Sequence, residues 1–151
     1  MNDVDKLLAT KDIMILKARY FRFVDTRRWE DFQALFAPDA TLFFPEGQER
    51  PASIGDSMAF IKSVLRGSVS VHMGHSPEIE VDSPASAHGV WGMEDKIYWS
   101  TEAAAAGGIE YLNGFGHYHE DYVCREGRWL FQRLKLTRLR VEKRSAPRAV
   151  E

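Results

Sequence analysis

Four side chains in this sequence have the types and settings that acid–base chemistry needs: Tyr20, Asp25, His72 and Asp95. Histidine is the natural general base, because its unperturbed pKa of about 6.5 leaves a neutral ring that accepts a proton near pH 7. Such a base works best when a carboxylate holds its other ring nitrogen and steadies the imidazolium. Asp25 can be that carboxylate, and it can equally cap the helix that follows it. Asp95 stands alone on a strand face whose other members are Trp91, Met93, Ile97 and Trp99. A carboxylate there costs several kcal/mol unless it is paired or neutralised. It reads either as a pocket acid or as a structural partner of a nearby Arg or Tyr. Tyr20 is a second proton donor or simply a core aromatic. Metal binding is not expected. His72 and His75 fall on opposite faces of a strand, and His117 and His119, which share a face, complete no ligand set with them.

These residues need elements that bring them together. Ile13, Leu16, Tyr20, Phe23 and Val24 repeat at helical spacing, which predicts a helix over residues 10–24 with Thr10 as its cap. A short second helix carries Trp29, Phe32, Leu35 and Phe36 and stops at Ala37-Pro38-Asp39. A short strand over 41–44 and a polar loop over 45–55 follow. A third helix over 56–65 is stopped by Gly67.

After that the period changes from 3.6 to 2. Residues 69–81 read as one strand interrupted near Gly74 or Pro77, and 87–99 as a long second strand. The alanine-glycine stretch 101–108 reads as a mobile loop. Residues 109–124 and 128–141 form a hairpin around Arg125-Glu126-Gly127, and a charged tail over 142–151 is expected to fray. Helices followed by hairpin-linked strands mean α+β. Strands this long must coil, and the concave face of a coiled sheet under helices is where a pocket forms, with Trp91, Met93, Ile97 and Tyr118 as its apolar area.

Composition narrows the function classes. The chain has 151 residues, 44% hydrophobic and 28% charged, and a net charge of −2. That is one globular domain, expected over residues 1–141, with no electrostatic case for nucleic acid or an anionic membrane. Apolar runs are too short for a membrane span. The N-terminal residues lack the pattern of a signal peptide, and the lone Cys124 fits a packing residue in a reducing cytoplasm. Apolar and aromatic residues such as Tyr98, Tyr122 and Phe131 cannot all face one interior by this reading, which predicts a homodimer or homotrimer.

The stretch Ala18-Arg19-Tyr20-Phe21-Arg22-Phe23-Val24-Asp25-Thr26-Arg27-Arg28-Trp29, with Leu35-Phe36-Ala37-Pro38-Asp39-Ala40, resembles the opening of SnoaL-like proteins of the nuclear transport factor 2-like superfamily. Gly114-Phe115-Gly116-His117-Tyr118-His119-Glu120 and Glu126-Gly127-Arg128-Trp129 fit the same group. The resemblance covers roughly residues 5 to 141. It implies an α+β cone, in which helices wrap a curved sheet around an apolar pocket. Members such as bile-acid 7-alpha-dehydratase, lindane dehydrochlorinase and scytalone dehydratase eliminate a small group from a hydrophobic substrate without metal or organic cofactor. The first of these places a Tyr, an Asp, a His and an Asp where this chain has Tyr20, Asp25, His72 and Asp95. By that resemblance His72 is the base, Asp25 its orienting partner, and Tyr20 and Asp95 hold or protonate an oxygen. Tyr118 matches the pocket aromatic of the dehydrochlorinase, while its pocket Arg falls nearest Leu134, which leaves the neighbouring Arg133 and Arg138 as weaker candidates. The implied function is a cofactor-independent lyase or isomerase on a hydrophobic ring-containing small molecule. The same fold also serves as a carrier or accessory subunit, which needs the cavity without the Asp–His pair.

Overall fold

The computed structural model describes residues 1–146. Helix α1 runs Asp3–Asp25, starting well before Thr10. Asn2 and Asp5 cap each other reciprocally at its start. The early turns were not legible as helix because Val4, Leu7 and Leu8 are exposed and make no buried stripe. From Ala9 onward the stripe appears: Ala9, Ile13, Leu16, Lys17, Tyr20, Phe23 and Val24 are all buried, spaced three or four apart along one side of the helix.

Helix α2 is short, Trp29–Gln33, and strand β1 covers Phe36–Phe43. Leu35 and Phe36 therefore leave the helix where a longer one was expected. Pro38 sits inside β1, which pairs with other strands only from Thr41 on one flank and through a shifted register on the other. A two-residue strand β2, Ala52–Ser53, leads into α3, Ile54–Val64, whose N-terminus is capped by Ser53. Strands β3, Ser68–Ser83, and β4, Ser86–Trp99, pair antiparallel. β3 is continuous, but its register shifts between His75 and Glu78, beside the region where an interruption was expected.

Residues 101–108, expected as a loop, form a helix α4 over Thr101–Gly107. Ser100 caps its start and Gly108, at φ 75°, ends it in the left-handed conformation. Four alanines with a cap at each end are sufficient for two turns. Strands β5, Ile109–Arg125, and β6, Arg128–Ser145, complete the sheet. Glu126 (φ 52°) and Gly127 (φ 73°) join them in a tight left-handed turn. β6 continues four residues into the segment expected to fray; the remaining tail, 147–151, lies outside the described residues.

The six strands form one curved, unclosed sheet in the order β2-β1-β6-β5-β4-β3, antiparallel except where β1 runs parallel to β6. The core lies between its concave face and the first three helices. Tyr122 and Phe131 both face that interior, and of the three aromatics expected to divide between faces only Tyr98 is exposed. No helix among the described residues is long and apolar enough to cross a membrane.

Candidate active site

Asp25 is the last residue of α1, and His72 lies on β3, which packs beside that helix end. Their side chains meet: His72 Nδ1 is 2.6 Å from Asp25 Oδ1. The His72 backbone N–H donates to Asp25 Oδ2 at 2.8 Å, and Ser70 Oγ donates to Oδ1 at 2.8 Å. With donors converging on the carboxylate, the proton of the imidazole belongs on Nδ1, and Nε2 is left as the basic nitrogen. Asp25 thus serves the histidine, and the cap of the following helix is not a side-chain bond at all.

The strand register brings in the next group. His72 stands directly opposite Asp95 on β4, and Asp95 opposite Gly114 on β5. Asp95 is buried and forms a two-pronged pair with Arg138 of β6, at 2.8 Å for each prong. Gly114 makes the pair possible. A Cβ at that position would overlap both the guanidinium and the carboxylate. Burial works against the charge of Arg138, but the hydrogen bonds and charges of Asp95 and Glu46 outweigh it and hold its pKa above the ordinary guanidinium value. Glu46, from the loop after β1, takes the Arg138 Nε–H.

His72, Asp95, Arg138 and Glu46 open into one cavity of about 200 Å³, with Asp25 behind His72 and outside its lining. Tyr20, His72, Asp95, Tyr118, Arg138 and Glu46 make its polar side, while Val24, Phe44, Phe60, Ile61, Ile97 and Leu136 are among its apolar walls. Burial, then the nearby Glu120 carboxylate, pushes the Tyr20 phenol far above its usual range. Burial does the same to Tyr118. Both are therefore neutral hydrogen-bond donors at any working pH.

Of the expected substrate-contacting residues, Ile97, Tyr118 and Arg138 line the cavity; Trp91 and Met93 do not. Trp91 instead donates its indole N–H to Tyr122 at 2.9 Å, and Met93 touches Arg138 through its sulfur. Behind the cavity lies an ion pair that the sequence reading missed. Lys17 and Glu120 are both fully buried and hydrogen-bonded, and Tyr122 donates to the other oxygen of Glu120. The Lys17 ammonium also sits 3.5 Å from the Tyr118 ring centre and 4.3 Å from that of Tyr20. Burial lowers its pKa to about 8, with Glu120 opposing the drop. The signal was available: Lys17 falls on the buried stripe of α1, and Glu120 on the strand face of Tyr118 and Tyr122. Arg27, Ser70 and Glu46 carried no such pattern. Among the described residues no group of three or more His, Cys, Asp or Glu is placed to hold a metal ion.

The family of SnoaL-like domains matches residues 5–135. A cyclase of Gibberella zeae, provisionally so named, is 26% identical over 133 residues, 82% of this chain and 86% of that protein. A provisionally assigned scytalone dehydratase from Novosphingobium aromaticivorans superposes with a TM-score of 0.82, covering 99% of both chains at 17% identity. A hexachlorocyclohexane dehydrochlorinase from Novosphingobium barchaimii does so with a TM-score of 0.78 over 99% of both chains at 18% identity. At such identities the structural likeness is one of fold.

Proposed function

This chain belongs to the SnoaL-like family, and from that premise we propose that it is a cofactor-independent lyase or isomerase acting on a hydrophobic ring-containing small molecule, with His72 as general base. The observation that carries this reading is that His72, held by Asp25 at 2.6 Å, lines a mostly apolar cavity. A carrier or accessory subunit needs that cavity but has no use for an oriented base. Dehydration and dehydrochlorination, the reactions in the names of two structural neighbours, are both eliminations that begin or end with a proton leaving carbon.

In this mechanism His72 Nε2 takes a proton from a carbon next to an activating group. The C–H electrons form the new double bond as the bond to the leaving oxygen breaks, and that oxygen takes the proton from His72 to leave as water. In an isomerisation the electrons pass to a carbonyl oxygen as an enolate, and His72 returns the proton to another carbon. Asp25 offsets the imidazolium charge that results. Tyr20 and Tyr118 donate hydrogen bonds to the oxygen that gains charge, inside a water-poor site where such bonds are strong. Asp95 acts by holding Arg138, since both its oxygens are committed to that pair. Carboxylates of Asp95 and Glu46 already neutralise the guanidinium, so the site suits a neutral substrate over an anionic one. Size narrows the class further. A cavity of about 150 Å³ admits benzene, so one of about 200 Å³ takes one or two rings.

The test is elimination from a panel of one- and two-ring β-hydroxyketones, followed by absorbance of the conjugated product. Wild type should turn over members of the panel, and His72→Ala and Asp25→Asn should slow this by about 10²–10⁴-fold, the usual contribution of a positioned base. A His72→Ala variant with the wild-type rate overturns the mechanism. A wild type that binds such rings and converts none favours the carrier.

A further inference from the structure

We propose that Ser70 and Arg27 are positioning residues for the base, forming a one-way chain of hydrogen bonds, Arg27 to Ser70 to Asp25, that locks the Asp25 carboxylate against His72. This rests on the reading of His72 as the working base, and it concerns residues that touch neither the cavity's ligand space nor His72 itself.

Ser70 and His72 are two apart on β3, so their side chains share a face. Ser70 is buried and donates to Asp25 Oδ1, the same oxygen that meets His72 Nδ1. Arg27 Nη1 donates to Ser70 Oγ at 2.7 Å. A guanidinium has no acceptor, and a hydroxyl has one proton. With Arg27 filling its acceptor side, Ser70 can only point its proton toward Asp25. The direction of the chain is therefore fixed by chemistry, and Asp25 cannot rotate away without leaving the proton of the buried Ser70 hydroxyl without its acceptor.

Arg27 is built to hold that end of the chain. It also donates to the Val24 carbonyl at 2.7 Å, and to the Ser68 carbonyl and hydroxyl at 2.9 and 3.0 Å. One side chain thus ties the end of α1, which carries Asp25, to the start of β3, which carries His72. The backbone of Arg27 lies at φ 58°, a left-handed conformation rarely adopted by residues with a side chain. Such strain persists where surrounding contacts over-determine it, and here five hydrogen bonds from one guanidinium, the longest to the Leu65 carbonyl, do so. A residue serving only to turn the chain between two helices would need no bond to Ser70.

The measurement is the exchange rate of the His72 Nδ1 proton by nitrogen-15 NMR on the full chain, with circular dichroism as the check on folding. This readout needs no substrate, so it judges the chain of bonds even if the lyase reading fails. In wild type the proton should be protected and resolved. Ser70→Ala and Arg27→Gln should each speed its exchange by at least tenfold while the fold is kept, and Ser70→Thr, which restores the hydroxyl, should return it to within threefold of wild type. Unchanged exchange in folded Ser70→Ala overturns the proposal. If Arg27→Gln fails to fold, the Ser70 pair of variants decides alone. Equal loss of protection in Ser70→Thr and Ser70→Ala also overturns it, because the hydroxyl would then be irrelevant.

Discussion

Replacing Lys17 by methionine keeps the volume of the side chain and removes its charge, leaving the Glu120 carboxyl inside the core without its cationic partner. Lys17 and Glu120 are both 0% exposed, so solvent does not screen what remains. Breaking a buried pair by removing one member costs about 3–5 kcal/mol. In a protein of this size each kcal/mol moves Tm by about 2–4 °C, so Lys17→Met should melt on the order of 10 °C lower. Tyr122 still donates to Glu120, which limits the loss, while the contacts of the ammonium with the Tyr118 and Tyr20 rings disappear and add to it. The double variant Lys17→Met with Glu120→Gln removes both charges and retains an acceptor for Tyr122. It should recover most of the stability, to within about 2 kcal/mol of wild type, because an ion pair replaced as a unit is close to neutral. Urea denaturation of wild type, the two single variants Lys17→Met and Glu120→Gln, and the double variant, followed by circular dichroism, gives the coupling directly. The pH dependence has a definite sign. The pKa of Lys17 is lowered from 10.5 to about 8 in the folded state, so between those values the unfolded chain binds more protons than the native one. Desolvation of the protonated Lys17 therefore costs the folded state stability below about pH 8, offset there only in part by Glu120, and stability rises as pH is raised from about 8 to 10.5. The stability of wild type relative to Lys17→Met should rise across that window. A single variant as stable as wild type, or a double variant no better than the single, refutes the argument that the pair is held by mutual compensation.

Gly114→Ala should disrupt the Asp95–Arg138 pair, since its Cβ would overlap both groups, and lower stability by about 3–5 kcal/mol if Asp95 is left buried and unpaired. Chemical denaturation reads the loss, and a change under about 1 kcal/mol would show that the strand relaxes around the methyl group. The chain should also self-associate into a dimer or trimer. Val69, Val71 and Tyr98 are 68%, 40% and 45% exposed on neighbouring strands β3 and β4, a contiguous apolar surface of the kind that oligomers cover. Light scattering at micromolar concentration measures this, and a species of 17.3 kDa would count against it.

Period was legible in the residues, and with it the faces of the main elements. Alternation along β4 put Asp95 with Trp91, Met93 and Ile97, and all four are buried on the concave side. The stripe on α1 put Tyr20 inward, and the need of a histidine base for a carboxylate pointed at Asp25 and His72. Distance along those faces was not legible. Trp91 and Met93 share a face with Ile97, yet the first two are spent on Tyr122 and Arg138 while Ile97 reaches the cavity. A period of two says which side of a sheet a residue occupies and nothing about what lies above it. That depends on where the helices cross the sheet. Partners were less legible still. Asp95 reads the same whether it is a free acid or a paired one, and only the register that sets it opposite Gly114, with room there for Arg138 to reach in from β6, decides between them. Lys17 and Glu120 lie 103 residues apart, each an isolated charge on an apolar face until the curvature of the sheet brings them together. A buried charge can be recognised locally, because its cost is local; its compensation is a tertiary contact and exists only in the folded chain.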